Sequence, residues 1–328
     1  MKLFSIILLF GVFTAAAQLP FNEQQFLSRL KTGQVLPEKL LSTRSVVFFP
    51  YNMRMKELEI CQKSFQKTGI DAVIYFDADL THAGRDPLVA LAEYLNKREI
   101  SNLVYFQKNA SGYTVYITTY NNKADLVGQD QLAYSFQHRN LNDLLNSLYL
   151  TAANSLKNEN FLINDVPETN FNIRAIFGNR NEFYAIDLKV DPLAVPKFGN
   201  PEMDRELEEI MKFYPYKYTL TEPDLSENEL RRAGFLYVLR FSHARNKTIR
   251  SALGYETTRA ESAIVSMAYM TDVPQLKNIS ADEEVWKFYF KHIESRNVFL
   301  GRKWDADTSW QQALWNQLRG YKDEFNLN

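Results

Sequence analysis

Apolar positions along this chain keep two rhythms. One has a helical period of about 3.6 residues; the other consists of unbroken or alternating runs of strand length, and switches between the two predict the elements. Phe26, Leu27 and Leu30, with Asn22 as cap and Gly33 as stop, predict a short helix over 22–33. Ser45–Phe49 is an unbroken apolar run, the mark of a strand covered on both faces. Leu58, Cys61 and Phe65 share one face of a helix over 54–68, closed by Gly69, and Asp71–Phe76 is a second buried strand. Asp86 and Pro87 supply an N-cap and a first-turn residue for a helix with Leu88, Leu91, Ala92 and Leu95 on one side. Asn102–Phe106 and Tyr113–Tyr120 form a hairpin through Asn109–Gly112. Asn140 caps a helix to 156 with a stripe of Leu141, Leu144, Leu145, Leu148 and Ala152. Strand–helix–strand–helix–strand order requires right-handed crossovers and a largely parallel sheet, made mixed by the hairpin.

Beyond a polar stretch over 158–170 the rhythm resumes. Ile173–Phe177 and Phe183–Leu188 are strand-like, and Asn200-Pro201 opens a helix through Met203, Leu207, Ile210 and Met211. Lys217–Leu220 is a short strand. Ser226 and Glu229 make a capping box for a helix ended by Gly234. Phe235–Phe241 is a strand, and Ala263–Tyr269 alternates as a strand does, though a helix fits too. Asp282 heads a helix carrying Val285, Trp286, Tyr289, Phe290 and Ile293, and Thr308 leads into a last helix with Trp310, Leu314 and Leu318. The expected class is α/β: two three-layer-like domains with mixed sheets, at 37–158 and 171–328. A lead-in at 18–36 precedes them, a linker at 159–170 joins them, and a helical pair ends the chain. Each half has a helix ending in Gly followed by an aromatic-rich strand (Gly69–Phe76, Gly234–Phe241), a pattern that ordinary strand–helix–strand grammar or an old duplication would produce.

The first 17 residues follow another pattern. Met1 and Lys2 give a positive start, Leu3–Phe13 an uncharged and mostly apolar run, and Ala15–Ala17 the small residues of a cleavage site before Gln18. That is the layout of a cleavable secretory signal peptide. The run falls short of the roughly 20 residues a membrane-spanning helix needs. The expectation is a secreted or periplasmic protein with no transmembrane anchor.

Composition narrows the function classes. Of 328 residues, 45% are hydrophobic and 14% aromatic, and the net charge of −1 excludes a disordered chain or a generic polyanion binder, so no nucleic-acid partner is expected. The single cysteine, Cys61, permits no intrachain disulfide and reads as a small buried hydrophobe.

Two stretches carry candidate chemistry. Asp77, Asp79 and His82 follow a buried strand, where open α/β sheets bind ligands. Two carboxylates two residues apart could hold a divalent metal, with His82 as a further ligand or a base; as plain turn residues they need neither role. His243, Arg245, Lys247 and Arg250 follow strand 235–241 and could cradle a phosphate, carboxylate or acidic glycan, or form a solvated loop. Asp305 and Asp307 precede a helix and read as capping residues. There is no phosphate loop, nucleophile elbow, His-Glu-x-x-His or Cys/His cluster, and the four histidines stand singly.

The signal-like start, the strand from Arg44 and the segment Trp304–Trp310 resemble an uncharacterised exported α/β family sometimes labelled NTPase. The resemblance implies export and an α/β fold, and carries no functional residue. The expected function is a non-catalytic exported protein binding a protein or envelope component without a cofactor. The alternative is a metal-dependent enzyme acting on a phosphorylated or nucleotide substrate, with a divalent metal on Asp77 and Asp79.

Overall fold

The computed structural model describes residues 23–168, 179–255, 262–269 and 273–327. The expected signal peptide, residues 1–17, and the expected strand Ile173–Phe177 lie outside them. The first half runs α1 (Glu23–Ser28), β1 (Leu30–Gly33), β2 (Arg44–Phe49), α2 (Met55–Thr68), β3 (Asp71–Asp77), a 3₁₀ turn (Ala78–Thr81), α3 (Arg85–Lys97), β4 (Ile100–Asn109), β5 (Gly112–Thr119), β6 (Gln131–His138) and α4 (Leu141–Ser155). Its six strands form a mixed sheet in the order β1-β6-β5-β4-β2-β3. β2 is parallel to both β3 and β4, whereas β4, β5 and β6 are antiparallel.

Strand period and double burial explain the unbroken apolar runs. Val47 and Tyr75 point into a core shared with Leu58, Cys61 and Phe65 of α2 and the leucine stripe of α4. Val46, Phe48, Ile74 and Phe76 point into a second core on the opposite face, under α3 and Phe26 of α1. Each fully buried large side chain contributes roughly 1.5–3 kcal/mol. Cys61 is one of the buried residues.

The second half runs β7 (Arg180–Asn181), β8 (Leu193–Pro196), α5 (Pro201–Met211), β9 (Tyr218–Thr221), α6 (Glu227–Arg232), β10 (Tyr237–Arg245), α7 (Asn246–Ala252), β11 (Ala263–Ala268), β12 (Gln275–Ser280), β13 (Glu284–His292), β14 (Val298–Phe299) and α8 (Trp310–Glu324). Six of these strands form a second mixed sheet in the order β7-β14-β13-β10-β8-β9, and β11 pairs with β12. α5 and α8 pack over one core of this sheet, rich in Tyr, Phe and Trp. No helix among the described residues is long and apolar enough to cross a membrane.

Several expectations are corrected. The helix expected after Asp282 is strand β13. Val285, Trp286, Phe288, Tyr289 and Phe290 are buried on both faces of the sheet, so strand period is masked and apolar positions at helical spacing appear by chance. The chain therefore ends in the single helix α8 and not a helical pair. The expected lead-in helix stops at Ser28, and Leu30–Gly33 pairs with β6 about 100 residues on, so the lead-in belongs to the first sheet. Phe183–Leu188 holds no strand; a 3₁₀ turn occupies Ile186–Lys189. The expected linker is tied down through 168: Glu168 bridges the free edge of β3, its N–H donating to Val73 O at 3.0 Å and its carbonyl accepting from Tyr75 N at 2.9 Å.

Neither Asp305 nor Asp307 is the N-cap of α8, which is Ser309; Asp307 accepts from Ser309 N–H, at 3.3 Å, in the turn before it. Asp305 pairs with Lys287 at 2.6 Å and Asp307 with Lys277 at 3.0 Å. Asp86 does not cap α3, because Gly84 takes that position. Its carboxylate instead reaches the second half, accepting from Tyr289 Oη at 2.9 Å and from Lys291 Nζ at 2.7 Å.

Candidate functional site

α2 and α3 leave the carboxyl ends of adjacent parallel strands β2 and β3 and cover opposite faces of the sheet. Such a switch point leaves a crevice beyond the strand ends, where open α/β sheets bind ligands. A cleft of about 440 Å³ lies there. Its first wall comes from Tyr51 and Asn52 after β2, and Asp79 and His82 after β3. Gln107, Lys108 and Asn109 at the end of β4 continue it, with Glu23 of α1. The second half supplies Arg245 and Glu284, which lie opposite each other in the β10–β13 register.

The sequence separates the Asp77–His82 turn from the basic stretch at 243–250 by some 160 residues; the fold brings them together. β10 runs to Arg245, four residues past the expected end, and α7 begins at Asn246, so His243 and Arg245 sit on a strand and not in a loop. The two segments dock backbone to backbone, with His243 N–H donating to Ala83 O at 3.1 Å. Gly84 makes this approach possible. Its φ is +118°, and a Cβ there would lie 2.7 Å from the carbonyl oxygen of Phe241.

Asp79 is the hinge of this contact. Its buried carboxylate pairs with the Arg245 guanidinium, accepts from Thr248 Oγ1 at 3.4 Å, and lies 3.9 Å from His82 Nε2. Arg245 in turn lies over the Tyr51 ring, 3.9 Å from its centroid. Asp77 turns back on the 3₁₀ turn and accepts from Asp79 N–H at 3.0 Å. Burial, and then the Asp79 carboxylate, push the Asp77 carboxyl up to about 7. His243 stacks on Trp286 with centroids 4.1 Å apart, and burial followed by the neighbouring His82 pulls its imidazole down to about 4. Burial also lowers His82.

Of the candidate residues, Asp77, Asp79, His82, His243 and Arg245 thus converge. Asp79, His82 and Arg245 line the cleft, whereas Asp77, His243, Lys247 and Arg250 do not; Arg250 lies against the rings of Tyr255 and Trp304. Among the described residues no group of three or more His, Cys, Asp and Glu side chains is placed to hold a metal ion.

Sequence reasoning missed Glu23, Tyr51, Lys108, Thr248 and Glu284. Tyr51 had a usable signal, since it follows the end of a buried parallel strand. The others reach the site only through long-range pairing. Lys108 is held by Glu57 at 2.9 and 3.1 Å, and Glu23 accepts from Tyr105 Oη at 3.1 Å. No protein-family model matches this chain, and neither does any curated protein.

Proposed function

We propose that this is an exported, non-catalytic binding protein that takes a small polar ligand, an envelope component, in the cleft between its two halves. The carrying observation is that the switch-point cleft of the first sheet is completed by Arg245 and Glu284 of the second. Two sheets, each with its own core, support a division into α/β domains whose junction forms the site. The positive start, apolar run and Ala-rich cleavage site of residues 1–17 support export. Intact-mass measurement of the native protein is expected to give a mature chain beginning at Gln18; retention of Met1–Ala17 overturns that part of the reading. A screen for nucleotide, glycan and ester hydrolysis tests the rest. Robust turnover that disappears in Asp77→Ala would replace the binding reading with an enzymatic one.

One observation favours that second reading. Asp77, its carboxyl pushed up to about 7 by burial and then by the neighbouring Asp79, has the properties of a general acid or base near neutral pH. Its metal-dependent, phosphate-directed form is less well supported, because Asp79 is already spent on Arg245 and the basic residues 247 and 250 lie outside the cleft.

A further inference from the structure

Resting on the binding reading of this cleft, we propose that its ligand is an uncharged, hydroxyl-rich molecule, a mono- or disaccharide unit, seated against Tyr51 and the carboxylates of Glu23 and Glu284. Charge decides against the alternatives. Three carboxylates (Glu23, Asp79, Glu284) and two cations (Lys108, Arg245) line the cleft. Both cations are engaged, Lys108 on Glu57 and Arg245 on Asp79. A phosphate would have to pull a cation from its carboxylate and then face the remaining acids. A polyamine would gain Glu23 and Glu284 but meet Lys108 and Arg245 in the same wall.

A hydroxyl suits both signs, because its O–H donates to a carboxylate while its oxygen accepts from an N–H. Hydrogen bonds to ionised partners are also the stronger kind. Glu284 is available for this role, with its side chain 57% exposed and its nearest cation candidate, His243 Nε2, 3.9 Å away. That imidazole, held down at about 4 chiefly by burial, makes no ion pair with Glu284 at neutral pH. The amides of Asn52, Gln107 and Asn109 extend the polar wall. Asn52 Nδ2 is used on Lys108 O at 3.1 Å, while its Oδ1 has no donor.

Tyr51 supplies the apolar element. The residue is 50% exposed within the cleft, and its ring is steadied by the Arg245 guanidinium. The C–H face of a pyranose packs on such a ring through dispersion and apolar burial. The cleft volume of about 440 Å³ lies within the range of roughly 300–1,000 Å³ typical of small-molecule sites.

The test is isothermal titration calorimetry of the full chain with three probe classes. These are neutral mono- and disaccharides of glucose, galactose, mannose and N-acetylglucosamine; inorganic phosphate; and spermidine. Saturable binding of at least one saccharide is expected, with none for phosphate or spermidine. Tyr51→Ala and Glu284→Gln, both at exposed positions, are each expected to weaken binding about tenfold. Saturable binding of phosphate or spermidine that the same substitutions alter, with no saccharide bound, overturns the saccharide class and leaves the cleft a binding site. No binding in any arm, or saccharide binding unchanged in both variants, overturns the cleft reading as well.

Discussion

Two buried ion pairs in this molecule have similar chemistry and opposite settings. Lys287 and Asp305 meet at 2.6 Å with side chains 0% and 6% exposed, and Asp305 borders a smaller cavity of about 210 Å³. Burial pulls both toward their neutral forms, lowering the ammonium and raising the carboxyl. Further hydrogen bonds from Lys287 Nζ, to Leu300 O at 2.9 Å and Gln317 Oε1 at 2.6 Å, hold the pair in place. Asp79 is equally buried, but Arg245 keeps 20% of its side chain exposed and forms a wall of the cleft. The first pair is the more deeply buried and lies wholly within the second half. The second joins the two halves at the wall of the cleft proposed to take a ligand, so it can be judged by binding as well as by stability.

The largest effect is expected from breaking the more deeply buried pair. Lys287→Met leaves Asp305 buried without its cation and is expected to cost roughly 3–5 kcal/mol in urea unfolding. Adding Asp305→Leu is expected to recover most of that loss, since a well-packed apolar pair removes the desolvation penalty. Arg245→Ala is expected to cost less, about 1–3 kcal/mol, because water entering from the cleft can solvate Asp79. A double-mutant cycle with Asp79→Asn checks this. A coupling as large as that between Lys287 and Asp305 would erase the distinction between the pairs.

pH acts on two further groups, Asp77 and His243, beside the Asp79–Arg245 pair. Asp77 has its folded value raised from 3.8 to about 7, so its stabilising contribution is full below the lower value and lost as pH rises through the upper. His243 has its folded value lowered from 6.5 to about 4, so stability falls as pH drops across that interval. The two slopes oppose each other over nearly the same window, and the parent protein is expected to be almost flat there. Asp77→Asn is expected to expose a stability that rises from pH 4 to 6.5, and His243→Gln one that falls from pH 4 to 7. At roughly 1.4 kcal/mol per pKa unit, each change is at most about 3–4 kcal/mol, read from urea unfolding across pH. Tyr51→Ala is the smallest: a change within about 0.5 kcal/mol, checked by the same unfolding assay, despite its expected effect on ligand binding.

Legibility in the sequence tracked how local the determining interactions are. α2, α4, α5 and α6 were readable because their caps and apolar stripes lie within one segment; Asn140 accepts from Asn142 N–H at 2.8 Å, and Ser226 and Glu229 close a capping box. β13 was not readable, since a strand buried on both faces loses its alternation. Its one polar interruption, Lys287, makes sense only beside Asp305 and Gln317. β6 was missed for the opposite reason. Leu132 is 73% exposed while Ala133 and Tyr134 are buried, so the alternation is too weak to stand out.

The same division holds at the site. Sequence alone placed Asp77, Asp79 and His82 after a buried strand and marked His243 and Arg245 as a basic stretch, because residue type and strand ends are local properties. Which of these residues meet was decided by tertiary structure alone. The Asp79–Arg245 pair depends on Gly84 admitting the backbone of β10, on β10 pairing with β13 so that Glu284 stands opposite Arg245, and on Asp86 fastening the halves through Lys291. Those contacts join residues 40 to 200 positions apart, and local patterning carries no record of them. The excess of acid in the cleft, which separates a saccharide from a phosphate, likewise exists only once Glu23, Lys108 and Glu284 are folded around the same space.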